Sequence, residues 1–585
     1  MDRRTFIRAS SLALAANTFP PRGFSTDPKR PNVVLILIDD LGWWDLGVNG
    51  NEYVETPVID RLAREGVRMS HFYATPLCSP TRACLLTGRH YQRTGVVEPH
   101  DRGRYWMRTD EVTLGEVLQK HGYRTAVVGK WHLGDHMKYH PNNRGFDESF
   151  GLWSPGAGDI PNYFNSEELF HNRQRVGTWG YVTDVLTDYA VGFVEKNRAT
   201  PFFLYLPYNV VHSPYMVPDN YLEKYLMKGL PLWDARIYGM ATNLDENIGR
   251  LLKTLDNAGV RENTIVIFAS DNGGVSRYFN AGLRGAKGDV YEGGVRVPFF
   301  ARWPGKFPAG VTVNAMAHHI DIFPTLCELT GTPLPADRKL DGKSILSLLR
   351  KGSAESPHQY LFHQWNCVRP LLTEPSTPPA NLFPDEVPCF KPNWAVRNAR
   401  GYKLVKSMKS ANPREELFDL EADPGETQDL AADHPEIVRE LRGEFERWFA
   451  EVTAGHDYAR PAIEVGRPDE NPVRLEVKWA ESEVESGSVR WRIEVMQMGQ
   501  YEVGVKYASE AADAGSKLSI RAGNSEIEHV VQATGSRTLF QTFFVGRLNL
   551  SKGQSILEMK PISAGGEQFV LRQRFRSEIW LKKVD

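Results

Sequence analysis

Continuous apolar runs separated by helix-like segments dominate the first 350 residues of the chain. The clearest runs, rich in β-branched and aromatic residues, cover residues 33–38, 125–128, 202–206 and 265–268. Such runs are typical of strands buried on both faces. Helix-like patterns lie between them, for example over residues 57–66 and 114–121. We therefore predict an α/β domain over residues 26–350, with a mainly parallel central sheet flanked by helices.

The hydrophobic pattern changes twice after residue 350. A Pro-rich stretch over residues 370–392 leads into a possible strand pair near residues 394–396 and 403–405. Apolar residues then recur at helical spacing at Ile437, Val438, Leu441, Phe445, Trp448 and Phe449. This predicts a small α+β subdomain over residues 351–455. After a polar linker over residues 456–472, apolar and polar residues alternate, which predicts a separate all-β, jelly-roll-like sandwich over residues 473–585.

The N-terminus has the features of an export signal. Arg3 and Arg4 precede a short apolar stretch, and Ala13 and Ala15 form an A-x-A pattern. This resembles a twin-arginine signal over residues 1–25, so we expect the twin-arginine export machinery to be a partner. We expect a periplasmic or extracellular protein. Since no later segment approaches the roughly 18 apolar residues of a bilayer span, we predict no transmembrane segment.

Composition narrows the function classes. The chain has 585 residues, with 70 Lys and Arg against 72 Asp and Glu, so its net charge is −2. This balance gives no reason to expect nucleic acid as a partner. There are five cysteines, so at least one thiol has no intrachain partner. We expect Cys84 and Cys327 to be buried, whereas Cys367 and Cys389 flank the Pro-rich stretch and could form a disulfide.

Two predicted strands end in oxygen-rich pairs. Asp39 and Asp40 follow the first strand directly, and Asp271 and Asn272 follow the strand at residues 265–268 after two residues. Ligand sites of open α/β sheets lie at such carboxyl ends. Adjacent buried carboxylates repel one another unless a cation neutralises them, and oxygen ligands favour Ca²⁺, with Mg²⁺ second. Either pair alone fits a solvated turn or a helix cap equally well.

A helix start is indicated between residues 78 and 89. Ser79 is a candidate N-cap, Pro80 would occupy the first helical position, and Gly88 lies near the end. Cys78 would then lie at a helix N-terminus, where backbone amides favour an anion, with Arg82 one turn further. A structurally buried cysteine and a thiolate nucleophile are the alternatives for Cys78.

The run CSPTR followed by ACLLTGR resembles the signature of type I sulfatases, members of the alkaline phosphatase superfamily. In that family the Cys of C-x-P-x-R becomes formylglycine, made by a formylglycine-generating enzyme. The resemblance extends over about residues 30–435. Its other motifs are PNVVLILIDDLG, TPVIDRLAREGVRMSHFYA, GYRTAVVGKWHLG, VPFFARWPG, HHIDIFPTLCELTG, DGKSILSLL and ELFDLEADPGETQDLA.

The resemblance assigns a role to each candidate site residue. Those matching the calcium ligands are Asp39, Asp40, Asp271 and Asn272. Cys78 becomes the aldehyde whose hydrate is the nucleophile, and Arg82 stabilises it. Lys130 and Lys287 match sulfate-binding lysines, the latter within the glycine-broken loop LRGAKGDVYEGG, where Ala286 replaces a common glycine. His212 would help the alcohol to leave, and His132 would take a proton as sulfate is expelled.

These implications predict a sulfuric ester hydrolase acting on a sulfated carbohydrate, with a galactose-type sugar as the expected substrate. The alternatives are a phosphomonoester or phosphonate-ester hydrolase of the same superfamily, or an inactive, carbohydrate-binding sulfatase-like protein. Aromatic faces pack well on sugars. The segments that could form the pocket wall contain Tyr105, Trp106, Tyr163, Phe164 and His171, together with residues 363–365.

Overall fold

The computed structural model describes eleven parts of the chain. They are residues 30–97, 105–153, 162–276, 278–352, 355–365, 393–407, 414–456, 458, 461–483, 488–563 and 577–584. The predicted export signal over residues 1–25 lies outside them, and so do Cys367 and Cys389. Within the described ranges, no helix combines the length and the apolar character of a bilayer span.

A ten-stranded sheet forms the centre of the first domain, in the order β10-β2-β9-β8-β1-β7-β3-β4-β5-β6. Its strands are β1 Asn32–Ile38, β2 Val67–Tyr73, β3 Arg124–Lys130, β4 Glu148–Leu152, β5 Leu169–His171, β6 Gln174–Val176, β7 Phe202–Tyr208, β8 Thr264–Ser270, β9 Phe299–Arg302 and β10 Val311–His318. Pairing is parallel from β8 through β4 and between β10 and β2, while β9, β5 and β6 pair antiparallel. The predicted mainly parallel sheet is confirmed.

Helices cover both faces of this sheet, which explains the continuous apolar runs. Along β1, Val34, Ile36 and Ile38 point into one hydrophobic core, while Val33, Leu35 and Leu37 point into the other. The helices on the first face are Pro57–Arg64, Val182–Asn197 and Leu232–Asn257. The helices on the second face are Cys78–Thr87, Leu114–Lys120, Ile322–Thr330 and Leu346–Lys351. Shorter or peripheral helices are Tyr91–Thr94, Asp219–Met227 and Glu292–Val295.

A second, antiparallel sheet forms the α+β subdomain. Its strands, in spatial order, are β11 Tyr360–Trp365, β12 Asn393–Asn398, β13 Tyr402–Ser407 and β14 Glu415–Asp419. The helix Pro435–Thr453 packs on this sheet through its apolar stripe, as its spacing predicts. At the contact with the first domain, the buried Lys403 of β13 lies between the carboxylates of Glu292 and Glu426, 2.9 and 3.0 Å from an oxygen of each. The subdomain is therefore joined to the first domain by an ion pair as well as by packing.

Two further sheets share one core and form the predicted sandwich. One contains β15 Ile463–Val465, β17 Glu481–Glu483, β18 Ser488–Val495, β20 Lys517–Ala522, β21 Ser525–Val530 and β23 Gly553–Pro561. The other contains β16 Val473–Glu476, β19 Gly499–Tyr507, β22 Gln541–Leu550 and β24 Glu578–Val584. The expected linker over residues 456–472 needs correction, because β15 lies inside it and pairs with β18. Its three residues are too short for period-two alternation to be visible.

Candidate active site

Two neighbouring parallel strands, β1 and β8, deliver the predicted metal ligands to one edge of the central sheet. Asp39 and Asp40 follow β1, and Asp271 and Asn272 follow β8. Backbone hydrogen bonds join the two loops to each other and to the segment after β7: Asp271 N donates to Ile38 O at 3.0 Å, and Val211 N donates to Asp39 O at 2.6 Å. The parallel order of the strands therefore brings together residues more than 200 positions apart.

Cys78 is the first residue of the helix Cys78–Thr87, with Leu77 as its N-cap. The predicted N-cap at Ser79 is wrong, and the helix begins one residue before it. Pro80 does not determine the first residue, because proline lacks an N–H and fits anywhere in the first turn. The predicted end is confirmed, since Gly88 adopts φ = 68° as the C-cap.

The thiol of Cys78 is buried and lies 3.3 Å from His132 Nδ1. Burial raises the pKa of Cys78 to about 12, although the charges of Lys130 and Lys287 act in the opposite direction. The thiol is therefore protonated at neutral pH. This argues against the thiolate nucleophile, because the nucleophilic form would be scarce.

Arg82 is completely buried beneath the carboxylates. Its guanidinium donates to Asp271 Oδ2 from Nε at 3.2 Å and from Nη2 at 2.7 Å, and Nη1 donates to Lys130 O at 2.7 Å. Burial alone would lower the pKa of Arg82, but the charges of Asp271 and Asp39 outweigh it and raise the pKa. Arg82 thus joins the loop after β8, which carries Asp271, to the end of β3.

Two lysines reach the carboxylates from different elements. Lys130, the last residue of β3, donates to Asp39 Oδ2 at 2.7 Å. Lys287 Nζ lies 2.7 Å from Asp40 Oδ1. The Lys287 loop is built from close backbone contacts, as its glycines predict: a Cβ at Gly293 would lie 2.3 Å from Gly285 O. The site therefore gathers Lys130, Lys287 and Arg82 around three carboxylates.

Two buried oxygens of the predicted metal ligands lack a hydrogen-bond partner among the described residues. They are Asp39 Oδ1 and Asn272 Oδ1. Burial raises the pKa of Asp39, but the charges of Lys130 and the other nearby cations lower it by more, so this pKa lies below the usual range. The pKa of Asp271 is raised to about 7 by burial and by the charge of Asp39. Asp39, Asp40 and His212 bring ligand atoms within 4.8 Å of one another, and so do Asp39, Cys78 and Asp271. Unpartnered oxygens among carboxylates fit a hard divalent ion.

The two candidate histidines flank this cluster. His212 donates from Nδ1 to Ser213 O at 2.9 Å, and its Nε2 lies 3.7 Å from Asp40 Oδ2. His132 adopts φ = 60°, an uncommon conformation for a residue with a side chain. Its Nδ1 faces Cys78, as described above. The structure thus brings all ten predicted site residues into one cluster at the edge of the sheet, in which His212 and Lys287 are partly exposed and the other eight are buried.

Comparison with known proteins identifies the family of the chain. The family model described as Sulfatase matches residues 31–332, which is slightly more than half of the chain. The chain belongs to the sulfatase family. Mouse (Mus musculus) steryl-sulfatase is 31% identical over 538 residues, covering 74% of this chain and 84% of the relative. Mouse N-acetylgalactosamine-6-sulfatase is 37% identical over 357 residues, covering 56% of this chain and 67% of the relative.

Solved structures share the fold of this chain. The structure titled Ps i-CgsB in complex with k-i-k-neocarrahexaose is 29% identical, with a TM-score of 0.64, and the match covers 73% of this chain and 95% of that one. A phosphonate monoester hydrolase of Agrobacterium radiobacter shares the fold at a TM-score of 0.54 and 21% identity, covering 72% of this chain and 96% of that one. The family model and the relatives named as sulfatases support a sulfuric ester hydrolase.

The structure places several predicted pocket-wall residues elsewhere in the sulfatase. Trp106 is buried in the core of the sandwich, and Tyr163 is fully buried beneath the His212 loop, where its hydroxyl donates to Asn209 O and His212 O. His363 is buried and donates from Nδ1 to Ala74 O at 3.1 Å. Trp365 is different, because its ring lies against Gly288, next to Lys287. Aromatic character alone does not separate core residues from pocket residues.

Sequence reasoning missed Asp45, which supports both ligand loops. Asp45 Oδ2 accepts a hydrogen bond from Gly42 N at 2.8 Å, and a Cβ at Gly274 would lie 2.6 Å from the same oxygen. Burial raises the pKa of Asp45 to about 7. The only signal in the sequence is an Asp three residues after a glycine, which is too common to single out.

Proposed function

We propose that this sulfatase removes sulfate from a sulfated carbohydrate, with formylglycine made from Cys78 as the nucleophile and Ca²⁺ held by Asp39, Asp40, Asp271 and Asn272. The proposal rests on one observation: Cys78 lies next to His132, Lys130 and Lys287, beside the oxygens Asp39 Oδ1 and Asn272 Oδ1, which have no hydrogen-bond partner among the described residues. Formylglycine, when formed and hydrated, would supply an oxygen nucleophile for sulfur and a second hydroxyl through which sulfate is released.

Lys130 and Lys287 are proposed to bind the sulfate. Each ammonium group lies at the carboxylate cluster, and both groups are within the electrostatic reach of Cys78. Two positive groups close to the reacting position neutralise the charge of a sulfate ester as the nucleophile approaches. A Ca²⁺ ion, when bound by the four ligands, would supply further charge neutralisation at the sulfate oxygens.

The two histidines are proposed to handle the protons. His212 uses Nδ1 to bond Ser213 O, which leaves Nε2 facing the site. A proton held at Nε2 can pass to the leaving oxygen of the alcohol. His132 Nδ1, 3.3 Å from Cys78 Sγ, is placed to accept a proton from the group formed at position 78. In this proposal His212 donates a proton as the alcohol leaves, and His132 accepts a proton as sulfate is released.

A tryptic peptide covering residues 69–82 tests the modification, because trypsin cleaves after Arg68 and Arg82. We expect mass spectrometry to find an aldehyde at position 78 in active preparations. Cys78→Ala should abolish aryl-sulfate turnover, whereas Cys84→Ala, which alters a buried thiol in the same helix, should retain it. Fully active preparations in which the peptide is entirely thiol would refute the proposed nucleophile.

The metal is tested by thermal denaturation after chelation. We expect Ca²⁺ to raise the melting temperature of chelated protein, because a ligand that binds only the folded state stabilises it. The matched variant is Asn272→Ala, which removes one proposed ligand oxygen and should reduce the shift. An equal shift in both proteins would exclude Asn272 as a ligand. A larger shift with Mg²⁺ than with Ca²⁺ would reverse the proposed ion.

The substrate class is supported by relatives. One relative is named N-acetylgalactosamine-6-sulfatase, and a solved neighbour at 29% identity was crystallised with a neocarrahexaose. We propose a galactose-type sugar sulfate. Turnover of a panel of sulfated sugars, with a steryl sulfate, an aryl sulfate and an aryl phosphate alongside, tests this. Preference for a glucosamine-type sulfate or a steryl sulfate would refute the sugar, and preference for phosphate would refute sulfate hydrolysis.

Two partners complete the proposal. Conversion of Cys78 requires a formylglycine-generating enzyme, and the Arg3–Arg4 signal requires twin-arginine export. We expect expression without the modifying enzyme to give a folded protein with an unmodified Cys78. Replacing both arginines with lysine should retain the protein in the cytoplasm of a host that has this export route, which cell fractionation would measure.

A further inference from the structure

The sandwich contacts the segment that follows β3, only a few residues beyond His132. The carboxylate of Glu470, between β15 and β16, makes two hydrogen bonds to this segment. His136 Nδ1 donates to Glu470 Oε1 at 2.7 Å, and Met137 N donates to Glu470 Oε2 at 2.8 Å. His136 is only 2% exposed and Glu470 10%, so the bonds are shielded from water.

Packing reinforces these hydrogen bonds on both sides. Trp479 of the sandwich lies edge-on to His136 and to Trp106, with ring centroids 5.4 and 5.8 Å apart. Tyr139 is buried in the core of the sandwich itself. Lys138 Nζ donates to Glu464 Oε1 at 3.2 Å. Residues 136 to 139 therefore contact a domain outside the 31–332 match, in addition to the first domain, where Met137 packs in the core and Trp131 Nε1 donates to Tyr139 O at 2.9 Å.

Four residues before His136, the chain carries a residue in a costly backbone conformation. His132 has φ = 60° and is buried, so its backbone must be stabilised by its surroundings. Upstream, Arg82 fixes Lys130 O; downstream, Met107 N donates to Leu133 O at 3.1 Å and Trp106 Nε1 donates to Asp135 Oδ2 at 3.3 Å. Trp106 in turn packs in the sandwich core. Within the four residues that follow His132, the chain thus contacts side chains that belong to the sandwich or pack in its core.

We propose that Glu470 is a positioning residue and that the sandwich serves as a clamp that keeps His132 facing position 78. The proposal rests on the proposed role of His132 in proton transfer. It predicts that loosening the clamp impairs the chemical step more than sulfate binding. Lys130 is held within β3 by its own strand pairing, and Lys287 lies on another loop.

The test compares Glu470→Ala and Glu470→Gln with the wild type. We expect Glu470→Ala to lower kcat for an aryl sulfate about 10- to 100-fold while KM changes little, because small displacements of catalytic groups have effects of this size. Glu470→Gln keeps one acceptor oxygen and should recover part of the activity. Glu558→Ala is the matched control: Glu558 is a similarly buried sandwich glutamate paired with Arg490 at 2.7 Å, within the sheet and not on the clamp.

A readout without turnover separates this inference from the proposed function. Hydrogen exchange over residues 131–137 should be faster in Glu470→Ala than in the wild type or Glu558→Ala. Equal exchange in all three proteins, or an equal loss of kcat in the Glu470 and Glu558 variants, would overturn the clamp. If the wild type hydrolyses no sulfate ester, the proposed function fails, and the exchange data still decide whether Glu470 orders the segment.

Discussion

Replacing Lys403 with methionine should destabilise the protein strongly. Lys403 Nζ lies 2.9 Å from Glu292 Oε1 and 3.0 Å from Glu426 Oε1, and all three side chains are at most 1% exposed. Methionine keeps much of the volume but removes the ammonium group that is bonded to the buried Glu292 carboxylate, so that Arg296 acts on it only at longer range. Removing one member of a buried ion pair costs about 3–5 kcal/mol. We expect a loss of that size in the free energy of unfolding of the unit that contains the subdomain.

Urea unfolding followed by tryptophan fluorescence measures this loss, since Trp394 and Trp448 lie in the subdomain core. The matched control is Lys339→Met, which removes an exposed ion pair with Glu451 and should cost less than about 1 kcal/mol. The double variant Lys403→Met/Glu292→Gln should recover at least about 1 kcal/mol, because it removes the unpaired charge. A Lys403→Met loss no larger than that of Lys339→Met would refute the reasoning.

Three further outcomes follow from buried groups. Before conversion to formylglycine, Cys78 should resist iodoacetamide at pH 7.5, because its pKa is about 12. Mass spectrometry should then find this thiol unalkylated in folded protein, and rapid alkylation of Cys78 would contradict a pKa this high. Burial, opposed by Lys403 but aided by Glu292, raises the pKa of Glu426 to about 7. The folded state therefore binds the extra proton, so stability should fall from about pH 4 to pH 7, and Glu426→Gln should flatten that slope in urea titrations. Asp45→Ala should lower kcat more than Asp45→Asn, since Asn still accepts from Gly42 N; equal kinetics would show that this hydrogen bond is dispensable.

The candidate metal ligands and catalytic residues were identified in the sequence from local patterns together with the family resemblance that those patterns carry. Asp39 and Asp271 follow apolar runs whose burial on both faces marks central strands, and Cys78 lies in a compact motif. The supporting contacts were not predictable in this way. Tyr163 and Trp106 look like pocket aromatics in the sequence, yet one supports the His212 loop and the other packs in the sandwich.

Neighbouring positions in the sequence were enough to predict the central sheet and its two covered faces, and compact motifs indicated the candidate site residues, because periodicity and motifs are local properties of the chain. The start of the sandwich was predicted near residue 473, whereas its first strand begins at Ile463. Tertiary structure alone decided which polar residues are buried together. His136 and Glu470 are 334 positions apart, and Lys403 and Glu292 are 111 apart. A charged residue looks the same in a sequence whether it is solvated or buried against a partner, so the clamp on His132 and the ion cluster at Lys403 emerge only when the chain is folded.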